Sequence, residues 1–197
     1  MSLRLTPCRR RHAIWRGGVA ASLILMNLVV PAHADKRIVR DRNDVRGRLD
    51  IKLAVAGHVS ASEGRARLIR HRLTTFRPWA KGVLEDGSSY VELLIDADDD
   101  PATDVQVTID VRRGELSARI WDLDRNESLG KGRVWRDDRR SVTAAFPKRI
   151  VGGGTYRWYA DTSYHREDSR HCGTASDAVG ICSDRIPNRG LVGHRTR

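Results

Sequence analysis

The sequence predicts an all-β fold: an antiparallel β-sandwich of about eight strands, followed by an irregular, disulfide-stapled C-terminal tail. Three observations predict it. Segments that alternate apolar and polar residues recur between 49 and 162. Turn-forming residues separate them at 57–64, at Arg113-Gly114, at 126–132 and at 151–154. No stretch of the same region sustains a 3.6-residue period.

The chain opens with a segment that does not belong to this fold. Arg4, Arg9, Arg10, Arg11 and Arg16 come before any acid, the first of which is Asp35. An apolar run follows over 19–30, interrupted by Ser22 and Asn27, and then Pro31-Ala32-His33-Ala34. A basic start, an apolar middle and an Ala-x-Ala site make residues 1–34 a cleavable signal peptide. The run is shorter than the ~20 residues a permanent membrane-spanning helix needs. The expectation is a secreted, extracellular mature chain of 163 residues with no transmembrane span after cleavage. Arg10-Arg11 leaves the twin-arginine route open beside general secretion.

Cleavage lowers the formal charge from +11 to +6, because five arginines leave and no acid does. The rest of the chain mixes both signs and contains no long Lys/Arg run and no nucleic-acid motif. It predicts no specific nucleic-acid partner, and generic attraction to anionic cell-wall polymers or lipid head groups instead.

Residues 35–46 are charged and lack periodicity, so they read as a flexible lead-in. The sandwich domain spans 47–164. Leu49, Ile51, Leu53 and Val55 alternate with Asp50, Lys52 and Ala54, which predicts a half-buried strand. Ile69, His71, Leu73 and Thr75 share one side of the next segment, which Pro78 ends. Val91, Leu93 and Ile95 face inward on a third. Val105, Val107, Ile109 and Val111 do so on a fourth, and Leu116, Ala118 and Ile120 on a fifth. Short segments at 132–136 and 140–146 follow, the latter carrying Val142, Ala144 and Phe146. The last clear strand, 155–162, aligns Tyr156, Trp158 and Ala160. Trp79 and Trp158 read as core.

The tail, 165–197, is rich in Gly, Arg and Asp and reads as irregular. Cys8 leaves with the signal, so Cys172 and Cys182 remain. In an oxidising compartment the two pair by default. The short loop makes the entropic stabilisation modest, about 2–3 kcal/mol. A metal site with His171 and His165 or His194 is the alternative, but Cys-x9-Cys is not a zinc spacing.

Three features bear on chemistry. Asp96, Asp98, Asp100 and Asp104 stand at alternate positions between two strands, where carboxylates can converge on Ca²⁺. Pro101 and Val107 exclude the helix–loop–helix calcium loop, and a solvated acidic hairpin is the competing reading. Four neighbouring acids also call for a counter-charge, which the abundant arginines can supply. The second feature is Trp121 and Trp135, which fall on the outward faces of their strands near Arg119 and Arg133. They suit a platform on which sugar faces stack, or else they are covered by other parts of the chain. The third is negative: no nucleophile motif is present, and Gly152-Gly153-Gly154-Thr155 lacks the lysine of a phosphate loop. Asp161 and Glu167 are a conceivable acid–base pair, and no catalytic residue is assigned.

The pieces Asp44-Val45-Arg46-Gly47-Arg48-Leu49-Asp50-Ile51, Arg77-Pro78-Trp79, the acidic loop at 96–104, Tyr156-Arg157-Trp158 and Cys172 with Cys182-Ser183-Asp184-Arg185-Ile186-Pro187-Asn188-Arg189-Gly190 carry a resemblance. Over most of 44–194 the chain resembles uncharacterised secreted β-sandwich proteins of high-GC Gram-positive bacteria, broadly similar to carbohydrate-binding and DOMON-type sandwiches. The resemblance implies export and a sandwich, and it implies no activity. The group's acidic loop is often Asp-x-Asp-x-Asp-Gly, and Pro101 stands here in place of that glycine.

Together these features predict a secreted, non-enzymatic binding domain for an extracellular glycan or anionic cell-wall polymer. The alternatives are a structural or protein-interaction module of the cell envelope, and a hydrolase with an unrecognised carboxylate pair.

Overall fold

Strands form where the sequence alternates, and also in three places where it does not visibly do so. The computed structural model describes residues 36–45, 47–59, 67–85, 87–100, 102–165 and 181–196. Residues 1–34, expected from the sequence to be a signal peptide, and Cys172 lie outside them. The fold belongs to the unit His33–Arg197. Among the described residues the strands are β1 (Arg37–Arg40), β2 (Ile51–Val59), β3 (Leu68–Thr75), β4 (Tyr90–Asp96), β5 (Val105–Arg112), β6 (Glu115–Asp122), β7 (Glu127–Trp135), β8 (Ser141–Pro147), β9 (Gly154–His165), β10 (Ile181–Ile186) and β11 (Val192–Thr196). Two short 3₁₀ turns, Lys81–Leu84 and Lys148–Val151, interrupt them. No helix among the described residues is long and apolar enough to cross a membrane.

The strands pair antiparallel in the order β1-β2-β3-β8-β7-β6-β5-β4-β9-β10, with β11 beside β9. This is one continuous, nearly closed, barrel-like sheet, where the sequence predicts two stacked sheets. The strand that makes the difference is β7. Its residues up to Gly132 pair with β6, and Arg133 to Trp135 pair with β8. At the crossing, a Cβ on Gly132 would lie 3.0 Å from the Ala145 carbonyl oxygen, so the close backbone approach favours glycine. Alternation specifies which face of a strand is apolar; it does not specify whether the sheet divides or curls.

The two ends of the sheet meet through side chains. The Ile51 amide donates to Asp184 Oδ2 (2.5 Å), Thr162 Oγ1 donates to the Leu49 carbonyl (2.9 Å), and His58 Nε2 donates to the Arg195 carbonyl (3.2 Å). Inside lie Trp158, Tyr156, Phe146, Ile69, Leu93 and Ile109, all buried. Each large apolar side chain so removed from water contributes roughly 1.5–3 kcal/mol. Trp79 and Leu84 pack into the same core, with the Arg136 guanidinium 3.8 Å from the Trp79 ring centre. Buried His71 shares this interior, and its Nε2 hydrogen-bonds Tyr156 Oη at 2.8 Å. Burial pushes its pKa down to about 3, so it stays neutral.

Three expectations need correction. The lead-in 35–46 contains β1, an edge strand paired with β2 (Ile38 opposite Val55). It contributes only Val39 to the core and leaves Ile38 exposed, so its pattern is faint. In β2, a bulge between Ile51 and Leu53 reverses the alternation. Leu49, Ile51, Ala54 and Ala56 join the core, while Leu53 and Val55 turn to the other side. The tail is not irregular throughout. Cys182, Asp184 and Ile186 of β10 and Val192, His194 and Thr196 of β11 are buried at alternate positions. Polar residues occupy half of these inward positions, which hides period two in a hydropathy reading.

A mixed-charge and aromatic face on the outer sheet

The outward positions of six adjacent strands line up in two rows, because the pairing is in register. One row runs Arg185, Asp161, Glu92, Thr108, Arg119, Lys131, each directly opposite the next. The second runs Tyr159, Leu94, Gln106, Trp121. Between them along each strand are the buried residues Ala160, Leu93, Val107 and Ile120. With about 4.8 Å between strands, Tyr159 and Trp121 stand about 14 Å apart on one face. Trp121 is 37 % exposed and its Nε1 donates to Asn126 Oδ1 at 3.2 Å.

The acids Asp161 and Glu92 lie between Arg185 at one end of this face and Arg119 and Lys131 at the other. Glu92 and Asp161 are opposite each other and line a cleft of about 200 Å³ with Tyr90, Ser183 and Arg185. Glu92 Oε1 accepts from Gln106 Nε2 (2.5 Å) and Thr108 Oγ1 (3.3 Å). Burial raises the Glu92 pKa, against these hydrogen bonds and the charge of Arg119. Burial raises Asp161 to about 6; the Arg185 charge opposes this and the Glu92 charge adds to it. Asp161 Oδ1 is buried with no hydrogen-bond partner among the described residues. The Arg185 guanidinium lies 3.6 Å from the Tyr159 ring centre. At the other end, Arg112 and Arg119 share Asp110 Oδ2 at 3.1 and 2.9 Å. An open cavity of about 470 Å³ adjoins them, lined by Arg112, Arg113, Ser117 and Lys131 among others.

The structure divides the four residues expected to form one platform. Trp121 and Arg119 lie on the face just described. Trp135 and exposed Arg133 lie beyond the β7 crossing, opposite Thr143 and Ala145 of β8. The Trp121 partner on β7 is Ser128. Seven residues of strand therefore separate it from Trp135, on the order of 20 Å. Trp135 is half-buried, and its Nε1 donates to Asp137 Oδ1 at 2.9 Å.

In the acidic loop, one carboxylate oxygen from each of Asp96, Asp98 and Asp104 lies within 4.8 Å of the others; Asp100 is not of this group. Arg157 supplies the counter-charge. Its Nε is 2.6 Å from Asp96 Oδ2 and 3.0 Å from Asp99 Oδ1, and it also donates to the Asp100 carbonyl. One oxygen of each of four aspartates accepts a backbone amide within the loop: Ala97 on Asp104, Asp99 on Asp96, Asp100 on Asp98 and Ala102 on Asp100. These are the local side-chain-to-backbone bonds of an Asx-rich turn.

Period two already turns Glu92, Tyr159 and Asp161 outward. What no local signal announces is that β9 lies beside β4, which sets Asp161 against Glu92 across 69 residues of chain. Comparison with protein-family models, with curated proteins and with solved structures finds no match to this chain.

Proposed function

We propose that this chain is a secreted, non-enzymatic binding domain for a carbohydrate or cell-envelope polymer that carries anionic groups. The observation that supports this best is the in-register pair of rows. A row with Tyr159 and Trp121 at its ends and Leu94 and Gln106 between them offers stacking surface. The charged row beside it offers carboxylates for hydroxyl groups at one end and guanidinium and ammonium groups for anions at the other. Trp121 and Arg119 keep their expected role, with Tyr159, Glu92 and Asp161 as their partners in place of Trp135 and Arg133. Export rests on residues 1–34 and on the resemblance to secreted sandwich proteins. The Cys172–Cys182 bridge belongs to the same proposal, with buried Cys182 packed beside Val45 and Tyr164. Titration calorimetry against neutral and anionic polysaccharides tests the binding reading. Trp121→Ala is expected to weaken binding about tenfold, as truncating an aromatic anchor does, while Trp135→Ala leaves it unchanged. Equal affinity of Trp121→Ala and parent for every polymer bound ends the proposal.

One observation favours a second reading. Glu92 and Asp161 stand directly opposite each other and line one cleft, and most glycosidases act through a pair of carboxyl groups flanking the bond they cleave. A hydrolase using Glu92 and Asp161 would release reducing ends from a bound polysaccharide, and Glu92→Gln would abolish that release. No release from any polymer that binds removes this reading.

A further inference from the structure

We propose that the cavity where β7 parts from β6 holds a phosphate monoester group, a substituent of the polymer that the outer face is proposed to bind; the inference rests on that reading. Three features meet there: an open strand edge, two uncommitted cations and a turn fixed in place.

The strands β6 and β7 run paired as far as Ala118 opposite Gly132, and β7 then pairs with β8. The parting leaves the start of β6 without a neighbour on that side. Arg112 and Glu115 close the two-residue turn between β5 and β6, so their backbone groups bond each other across it. Backbone groups alternate in direction along a strand, so those of Leu116 and Ala118 point away from β5. Ala118 meets Gly132. Leu116 has no strand residue opposite it, and no other backbone hydrogen bond among the described residues reaches it. Its N–H is a strong donor left open. It stands at the cavity of about 470 Å³ that Leu116 lines together with Arg112, Arg113, Ser117, Lys131 and Gly132.

The charges around this cavity do not cancel. Asp110 takes up Arg112 and Arg119, and Glu115 at the rim is matched by Lys81 at 3.6 Å. Arg113 and Lys131 are exposed, and neither forms an ion pair with a described residue. Two uncommitted positive charges match a phosphate monoester, which carries about −1.5 to −2 at neutral pH. A carboxylate or a sulfate ester carries a single charge. The donors also come from three sides: Arg113 from the turn, Lys131 from β7 and the Leu116 N–H from the edge of β6. That spread suits the three acceptor oxygens of a phosphate group better than the two coplanar oxygens of a carboxylate. The turn is held in position, because Lys81 Nζ donates to the Gly114 carbonyl. Trp121 stands four residues from Ser117 on the same face of β6, about 13 Å away. One polymer chain can therefore stack on Trp121 and place a substituent in the cavity.

Titration calorimetry of the chain with glucose 6-phosphate, glucose 6-sulfate and glucuronate tests this. Glucose 6-phosphate is expected to bind most tightly of the three. Arg113→Asn and Lys131→Gln are each expected to weaken it about tenfold, the worth of one hydrogen bond to a charged group. Asparagine accepts the left-handed backbone of Arg113 (φ 52°), so that variant keeps the turn. Arg37→Gln, an equal charge change on exposed β1, is expected to leave binding unchanged. Equal affinity for the three sugars, no binding of glucose 6-phosphate, or equal weakening by Arg37→Gln overturns the phosphate site. If Trp121→Ala weakens polymer binding while Arg113→Asn and Lys131→Gln bind glucose 6-phosphate as the parent does, the phosphate site falls alone. If those two variants lose glucose 6-phosphate while Trp121→Ala binds polymer as the parent does, the stacking platform falls alone.

Discussion

Arg157 on β9 holds Asp96 at the end of β4, Nε to Oδ2 at 2.6 Å, and the Asp96 side chain is fully buried there. The same guanidinium reaches Asp99 and the Asp100 carbonyl, so one cation organises the hairpin between β4 and β5. Removing one partner of a buried pair leaves the other charge uncompensated. Arg157→Met is expected to lower stability by about 2–3 kcal/mol. Adding Asp96→Asn should recover part of that loss. Urea denaturation of the single and double variants measures both, and additive losses would show that the pair is not coupled.

Gly132 marks the point where β7 passes from β6 to β8. A Cβ there meets the Ala145 carbonyl at 3.0 Å and Ala118 Cβ at 3.5 Å. Gly132→Val is expected to cost about 1–3 kcal/mol through overpacking and a shifted ladder. The same substitution at exposed Gly153, where nothing lies within 4 Å of a Cβ, should cost less. Equal losses at the two sites would mean that the crossing tolerates a side chain.

His71 makes stability fall in acid. Its folded pKa is lowered from 6.5 to about 3 by burial, with the His194 charge acting the same way. Between those values the unfolded chain binds a proton that the folded chain does not. This group's contribution is therefore intact above pH 6.5 and is lost as pH falls, by about 1.4 kcal/mol per unit. His71→Gln removes the titration and is expected to flatten the stability–pH curve between pH 4 and 6 by one proton, compared with the parent. An unchanged slope would place that proton elsewhere.

Asp161 acts with the opposite sign. Its folded pKa is raised from 3.8 to about 6, so the fold favours the neutral acid, and this contribution is lost as pH rises from 4 to 6. Asp161→Asn is expected to be more stable than the parent at pH 7.5, by about 1 kcal/mol after allowance for solvent screening and the lost attraction to Arg185. The gain should vanish at pH 4. Chemical denaturation at the two pH values decides this, and a variant less stable than the parent at pH 7.5 would contradict it.

Much of the strand content is legible in the chain. Ile69, His71, Leu73 and Thr75 share the inner side of β3 as their spacing predicts, even though one is a histidine. Arg113-Gly114 is the two-residue turn between β5 and β6, with φ of 52° and 77°. The spacing also places Trp158 and Trp79 in the core. The β2 bulge is not legible, because one extra residue leaves the composition unchanged while reversing every later side chain. The strands β10 and β11 are not legible either, because Asp184 and His194 stand where apolar residues would show the pattern.

By itself, then, the sequence determined which short segments are strands and which side of most of them avoids water, because that choice depends on neighbours two residues away. Only the tertiary structure decided that the strands run as one curled sheet and that Asp161 faces Glu92. It also decided that Trp121 and Trp135 part company and that Ile51 meets Asp184. Those are pairings between segments tens to more than a hundred residues apart. They are set by which edges meet when the whole core is buried, and no local pattern encodes that.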